Sequence, residues 1–289
     1  MQSYYLRRVV IDDARIKIAI TEKDFIALRI SMDCLVNILY IEEKYDFIVK
    51  NKIALDSALE YPDEIDRNMQ SHRYAKSEIN RHFANILTTT RLYVDQGLRY
   101  GKKLDRLFDE PLVSFARWFA LEYDARLGYR VMESLRNFVQ HRGDAIHHAS
   151  FGTYKEYIEG RKVIVRRIDT YLDPSELRKE KKFKASVLDE LEAQEIRITA
   201  QSFLNDYLEG LQEVHEKFRA ATKAKYIVAT DCISDAFIRY SGSAEDVIGL
   251  QAVEEYGAGQ VKRSFSVLRD PIYMRDFYES KNLTRMTIG

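Results

Sequence analysis

Two side chains five positions apart, Arg136 and His141 in the segment Leu135-Arg136-Asn137-Phe138-Val139-Gln140-His141, are of the types needed for chemistry on a phosphate ester. A guanidinium stays cationic and presents a planar fork of donors that matches phosphate oxygens. An imidazole gains and loses a proton near neutrality, so it can act as general acid or base. Asn137 adds an amide able to orient the imidazole or hold a phosphate oxygen, and Arg142 adds a second cation. Positive charge on a crowded phosphoryl group, together with proton transfer, is what metal-free cleavage of such an ester requires.

The same spacing recurs at Arg67 to His72 and Arg142 to His147, and one position longer at Arg142 to His148, so context has to choose among four matches. Arg67 lies in DEIDRNMQSHRYAK, which has no apolar face and reads as solvated helix surface. The two matches from Arg142 cross Gly143 and Asp144, where a helix should end. Arg136 and His141 instead lie on a stretch with a clear apolar stripe, Leu127, Val131, Leu135 and Phe138, and Gly143 is expected to close that helix in a left-handed cap. Glu133 reads as a surface partner of Arg130 or Arg136. Positions five apart lie about 140° around a straight helix, so either the helix bends near Gly143 or two copies of the pair meet across a two-fold axis.

The elements that must position the pair follow from periodicity. YYLRRVVI and RIKIAI, separated by Asp12-Asp13-Ala14, predict a hairpin within residues 1–20. Thr21 opens a helix with apolar residues at Phe25, Leu28, Met32, Leu35 and Leu39, running to about Ile48. Pro62 starts a second, whose seam is Ile79, Phe83, Ile86, Thr90 and Tyr93, before Gly97, Gly101 and FDEP punctuate the chain. VSFARWFALEY and the Arg–His stretch make one or two more helices. KVIVRRIDTYLD at 162–173 predicts strands, and the basic run RKEKKFK at 178–184, with Lys181 and Lys182, is a candidate track for phosphates with Phe183 available for stacking. Thr199 opens a helix with a seam at Leu204, Tyr207, Leu211, Val214 and Phe218, and residues 224–240 make another. The expected fold is mainly α: a helical bundle with small β additions, namely the N-terminal hairpin, strands near 162–173 and strands in the C-terminal region. It divides as a hairpin at 1–20, a bundle at 21–150 carrying the Arg–His pair, a β and basic insert at 151–198, helices at 199–240 that complete or extend the bundle, and an α/β tail at 241–289.

Composition narrows the function classes. The chain has 289 residues, 46% hydrophobic and 31% charged with only 12 Gly and 4 Pro, which excludes disordered and collagen-like classes. Lys and Arg total 45, as do Asp and Glu, so no global field draws the molecule to nucleic acid or membrane, and any RNA site is local. Cys34 and Cys232 form no CxxC pair, and no HExxH, GxSxG, GxxxxGK or GxGxxG is present. No metal and no cofactor is therefore expected, and His147-His148 reads as a solvated loop pair. The absence of a long apolar run predicts no membrane span, and the cysteine usage suits the cytoplasm.

The Leu135–His141 segment resembles the motif of the HEPN superfamily, an Arg followed after four to six residues by His, with a polar Asn directly after the Arg. NRHFANILTTTRLYVDQ at 80–96, through Asn85, Leu87, Thr88, Thr89, Arg91 and Asp95, is similar to the long helix that precedes the Arg–His helix in HEPN-like proteins of bacteria. The resemblance covers residues 80–145. It implies a HEPN-like helical bundle and a metal-independent endoribonuclease of the toxin or anti-phage abortive-infection kind, with Arg136 and His141 catalytic, Asn137 and Arg142 in support, and 2′,3′-cyclic phosphate and 5′-hydroxyl ends as products. It also implies a homodimer, RNA as substrate, and an antitoxin or regulatory protein as partner. Some such toxins carry, two residues after the His, a Tyr that a partner nucleotidyltransferase modifies; Gly143 stands there instead, so that control is not expected. The alternative is a non-catalytic helical scaffold whose seams bind another protein.

Overall fold

The computed structural model describes residues 2–9, 16–60, 69–158, 160–181, 183–194, 199–243, 247–257 and 259–282. In chain order the elements are β1 (Gln2–Arg8), β2 (Lys17–Ile20), α1 (Glu22–Leu59), α2 (Met69–Phe108), α3 (Phe115–Ala125), α4 (Leu127–His141), β3 (His148–Ile158) and β4 (Arg161–Tyr171). They continue with α5 (Pro174–Leu177), α6 (Ala185–Glu192), α7 (Ala200–Ser241), β5 (Leu250–Tyr256), β6 (Gln260–Ser266) and α8 (Asp270–Asn282). The protein is thus mainly helical with a few antiparallel strands, and no described helix is long and apolar enough to cross a membrane.

The chain folds as two compact units, to both of which α1, α2 and α7 contribute. Residues 1–43, 96–114 and 217–284 make the first. Its sheet has the order β2-β1-β5-β6, all antiparallel, so the N-terminal hairpin expected from sequence pairs Tyr4 with Ile20 and then receives β5 on its other edge. The tail strands thereby join the first ones, which periodicity did not foresee. Tyr4, Leu6, Ala252 and Val253 are buried on this sheet with Phe25, Leu28 and Met32 of α1, and the Phe25 ring lies 5.3 Å from those of Tyr4 and Phe265. Thr21 Oγ1 accepts from the Asp24 N–H while Asp24 Oδ2 accepts from the Thr21 N–H, a reciprocal cap that fixes where α1 begins.

Residues 44–95 and 115–216 make the second unit, which carries every candidate catalytic side chain. Ile48, Leu55, Ile79, Phe83 and Ile86 join Val131, Leu135, Phe138, Leu204 and Leu211 in its core. His215 is buried there, its ring stacked 3.8 Å from that of Tyr45 and its Nδ1 3.1 Å from the Tyr93 hydroxyl.

Three expected boundaries are corrected. α1 continues past Ile48 to Leu59, since nothing in VKNKIALDSAL stops a helix. Gly97 and Gly101 do not punctuate α2 but lie buried within it, where neighbouring packing outweighs the propensity cost of glycine. The stretch from 200 to 241 is one helix, not two, because Ala220, Ala221 and Ala224 carry it without a break. Asp12, Asp13, Ala14, Pro62, Arg67 and the end of the C-terminal tail, 283–289, lie outside the described residues.

Candidate functional site

α4 carries the candidate pair, and its first turn is held from α7. Arg126 precedes the helix without capping it; Asp206 does so instead, Oδ2 accepting from the Gly128 N–H at 2.8 Å. The other Asp206 oxygen takes Arg126 Nη1 at 3.0 Å, and Arg126 also reaches Glu122 at 3.0 Å and Glu209 at 3.1 Å. Backbones approach so closely that a Cβ on Gly128 would stand 2.4 Å from the Phe203 carbonyl oxygen. One turn further, the Tyr207 hydroxyl donates to Glu133 Oε1 at 2.7 Å, with the Tyr129 ring edge-on at 4.6 Å. Burial above all, then the Glu133 charge, raises the hydroxyl pKa of both tyrosines, so Tyr207 remains a donor. Glu133 is therefore no surface partner of the arginines; Arg130 pairs instead with Glu190 at 2.5 Å.

Beyond Leu135 the character changes. Arg136 is half-buried, its Nη1 3.3 Å from Asn137 Oδ1, and its buried Nε meets no hydrogen-bond partner among the described residues. His141, in the last turn, and Arg142, just after it, are exposed. The structure brings Arg136 and Asn137 together but leaves His141 about 140° around the same unbroken helix. Gly143 is not among the residues of positive φ, so the expected left-handed cap is replaced by a simpler end in which the Arg142 N–H donates to the Phe138 carbonyl at 2.8 Å.

The loop from 142 to 147 is tied to α2. Asn80 Oδ1 accepts from the Ile146 N–H at 2.7 Å, and Lys76 Nζ donates to the His147 carbonyl at 2.8 Å. His147, expected as one of a solvated pair, is half-buried: Nδ1 accepts from the Asp173 N–H at 3.0 Å, and the ring meets that of Phe138 edge-on at 5.5 Å. Burial chiefly pushes its pKa down, favouring the neutral acceptor. His148 is exposed and lies 3.2 Å from Asp173 Oδ2, whose carboxyl is held down to about 2, mainly by the Ser175 side chain and in part by His148.

Three cations of the basic run are engaged by neighbouring side chains. Arg178 pairs with Glu192 at 2.5 Å, Lys179 with Glu176 at 2.6 Å, and Lys184 covers the Tyr123 ring. Phe183 is buried, so it stacks on nothing from solvent. Lys181 is exposed, and Lys182 lies outside the described residues. Sequence missed the Asn80, Lys76 and Asp173 ties because each joins residues at least 26 positions apart, and only the two adjacent histidines signalled them. Among the described residues no group of three or more His, Cys, Asp or Glu is arranged to hold a metal ion. No protein-family model, no curated protein and no solved structure matches this chain.

Proposed function

We propose that this protein is a metal-independent endoribonuclease of HEPN type, a toxin or abortive-infection effector in the cytoplasm, acting on RNA as a homodimer. The observation that carries the reading is the pair itself: Arg136 oriented by Asn137, and an exposed His141, on one helix whose opposite end is firmly braced. A site on a rigid element keeps its geometry, and cations near a helix C-terminus are favoured by the dipole. In the reaction the 2′-hydroxyl oxygen attacks the adjacent phosphorus, and the bond to the 5′-oxygen breaks. His141 carries the proton lost by the nucleophile or gained by the leaving oxygen, and Arg136 binds the phosphorane oxygens. The 140° separation asks for His141 from one copy and Arg136 from the other, which is why the reading includes a dimer with two composite sites.

That same separation favours the second reading, a non-catalytic bundle that binds a partner protein. Incubating RNA with purified protein in EDTA separates them. Cutting that leaves 2′,3′-cyclic phosphate and 5′-hydroxyl ends, and that Arg136→Ala and His141→Ala abolish, supports the enzyme. Intact RNA, or cutting that survives both substitutions, removes this pair from catalysis.

A further inference from the structure

The long β3–β4 hairpin has two faces of different chemistry. The register pairs Thr153 with Arg166, Lys155 with Ile164 and Tyr157 with Lys162 across the strands, so these six side chains share one face. Among the described residues that face carries three cations and no carboxylate. The opposite face keeps its acids occupied: Glu156 takes Arg167 at 2.6 Å, Arg167 covers the Tyr154 ring, and the Tyr154 hydroxyl donates to Asp169.

At its root the cationic face is packed. Ile168 and Thr170 are buried there, and Phe151, opposite Ile168, stacks on His72 of α2 with ring centres 4.0 Å apart. Further out the same face opens to solvent: Tyr157 is 75% exposed and Ile164 63%. Lys155 and Lys162 are exposed and meet no partner among the described residues. Two exposed cations, an open aromatic ring and an open aliphatic chain on one face offer an anion with flat apolar parts both charge and stacking area.

We infer that this face of the β3–β4 arm docks single-stranded RNA. Lys155 lies diagonally across from both Lys162 and Arg166, so the cations are spaced about 7–8 Å apart along a zigzag. That spacing suits successive phosphates of an extended strand, while Tyr157 and Ile164 between them offer a ring and a flat contact for unstacked bases. An acidic peptide would satisfy the lysines but would not call for the ring. The arm also begins at His148, directly after the loop that α2 ties down behind His141, and eleven residues per strand reach out by roughly 35 Å. The choice of RNA rests on the ribonuclease reading; the surface and its charge do not.

The test is fluorescence anisotropy with a labelled 2′-O-methyl oligouridine, which lacks the attacking hydroxyl and cannot be cut by this chemistry. Wild type should bind. The double variant Lys155→Gln, Lys162→Gln should lose about tenfold in affinity, and its dependence on log salt should flatten by about 1.4, two single-strand phosphate contacts. Tyr157→Ser should lose about fivefold or more with the salt dependence unchanged. These side chains are solvent-exposed, so circular dichroism should match wild type. Wild-type affinity in both variants overturns the inference. So does equal binding of phosphatidylserine vesicles, which would mark a general polyanion surface. Arm-dependent binding by a protein that cuts no unmodified RNA upholds this inference while removing the ribonuclease reading, and cutting with no arm-dependent binding does the reverse.

Discussion

The two ends of α4 are built to different ends. At the first turn the Gly128 backbone lies against the Phe203 carbonyl, Asp206 caps the free N–H, and Arg126 joins three carboxylates. At the last turn and just after it His141 and Arg142 stand in solvent. The contrast teaches that the helix is anchored at one end so that its other end can present cations under little structural obligation.

The largest expected effect tests that division directly. His141→Ala and Arg136→Ala should each lower RNA cleavage by about 10²–10⁴-fold, the usual contribution of a positioned proton carrier, while stability changes by less than about 0.5 kcal/mol. A drop in the unfolding midpoint that accounts for the lost activity would make the last turn structural and erase the contrast. Next comes Gly128→Ala, whose Cβ has backbone on its far side and cannot be accommodated by a rotamer change. It should cost about 2–3 kcal/mol and lower the unfolding midpoint by roughly 5–10 °C. An unchanged midpoint would show that α4 and α7 are not in close contact there.

Arg126→Met should follow at about 1–2 kcal/mol. The substitution keeps the apolar stem but removes from Glu122, which is 8% exposed, its 3.0 Å ion pair. Its effect should depend on Asp206: if Arg126→Met costs the same in an Asp206→Asn background, the two do not act as one anchor.

Much of this frame was legible because helices advertise themselves through local repeats. The seams through Ile79, Phe83 and Ile86 and through Leu204, Tyr207 and Leu211 are all buried as their spacing required. The candidate pair was legible for the same reason, since Arg136 and His141 sit on a helix with an apolar stripe. What was hidden is non-local. Nothing near Asp206 announces a cap for a helix that begins 79 residues earlier, and the strands of the tail gave no sign that they would pair with Gln2–Arg8. In the basic run, too, space adds what sequence order does not: Glu192 lies beside Arg178, and Glu176 beside Lys179. The β3–β4 arm shows the converse, where Lys155 and Lys162 become neighbours only through the register.

A smaller effect separates the ends by pH. The anchor at the first turn is made of permanent charges, whereas the loop behind the last turn depends on a neutral His147. Because burial lowers that pKa, the unfolded chain binds the proton more readily; stability is full above about pH 6.5 and declines as pH falls below it. His82, also pushed down mainly by burial, acts in the same window, so His147→Gln should flatten only part of the decline. Asp173, held at about 2, adds a separate loss that begins as pH falls through about 4. Thermal unfolding across pH 5–8 reads the first window, and an unaltered slope in His147→Gln would show that the ring stays protonatable in the fold.

The smallest effect belongs to Gly143→Ala and is the most discriminating for its size. As a left-handed cap, the reading its position invites, this glycine would resist a side chain and the substitution would cost about 1 kcal/mol. In the structure its φ is not positive, and the nearest atom to an added Cβ is Phe138 Cε1 at 3.9 Å, an ordinary contact. The substitution should then be neutral, or stabilising by a few tenths of a kcal/mol through the entropy it removes from the unfolded chain. Set beside Gly128→Ala, the same chemical change made at the two ends of one helix should differ by about 2–3 kcal/mol, and the closer those two values come, the less the anchored and open ends differ.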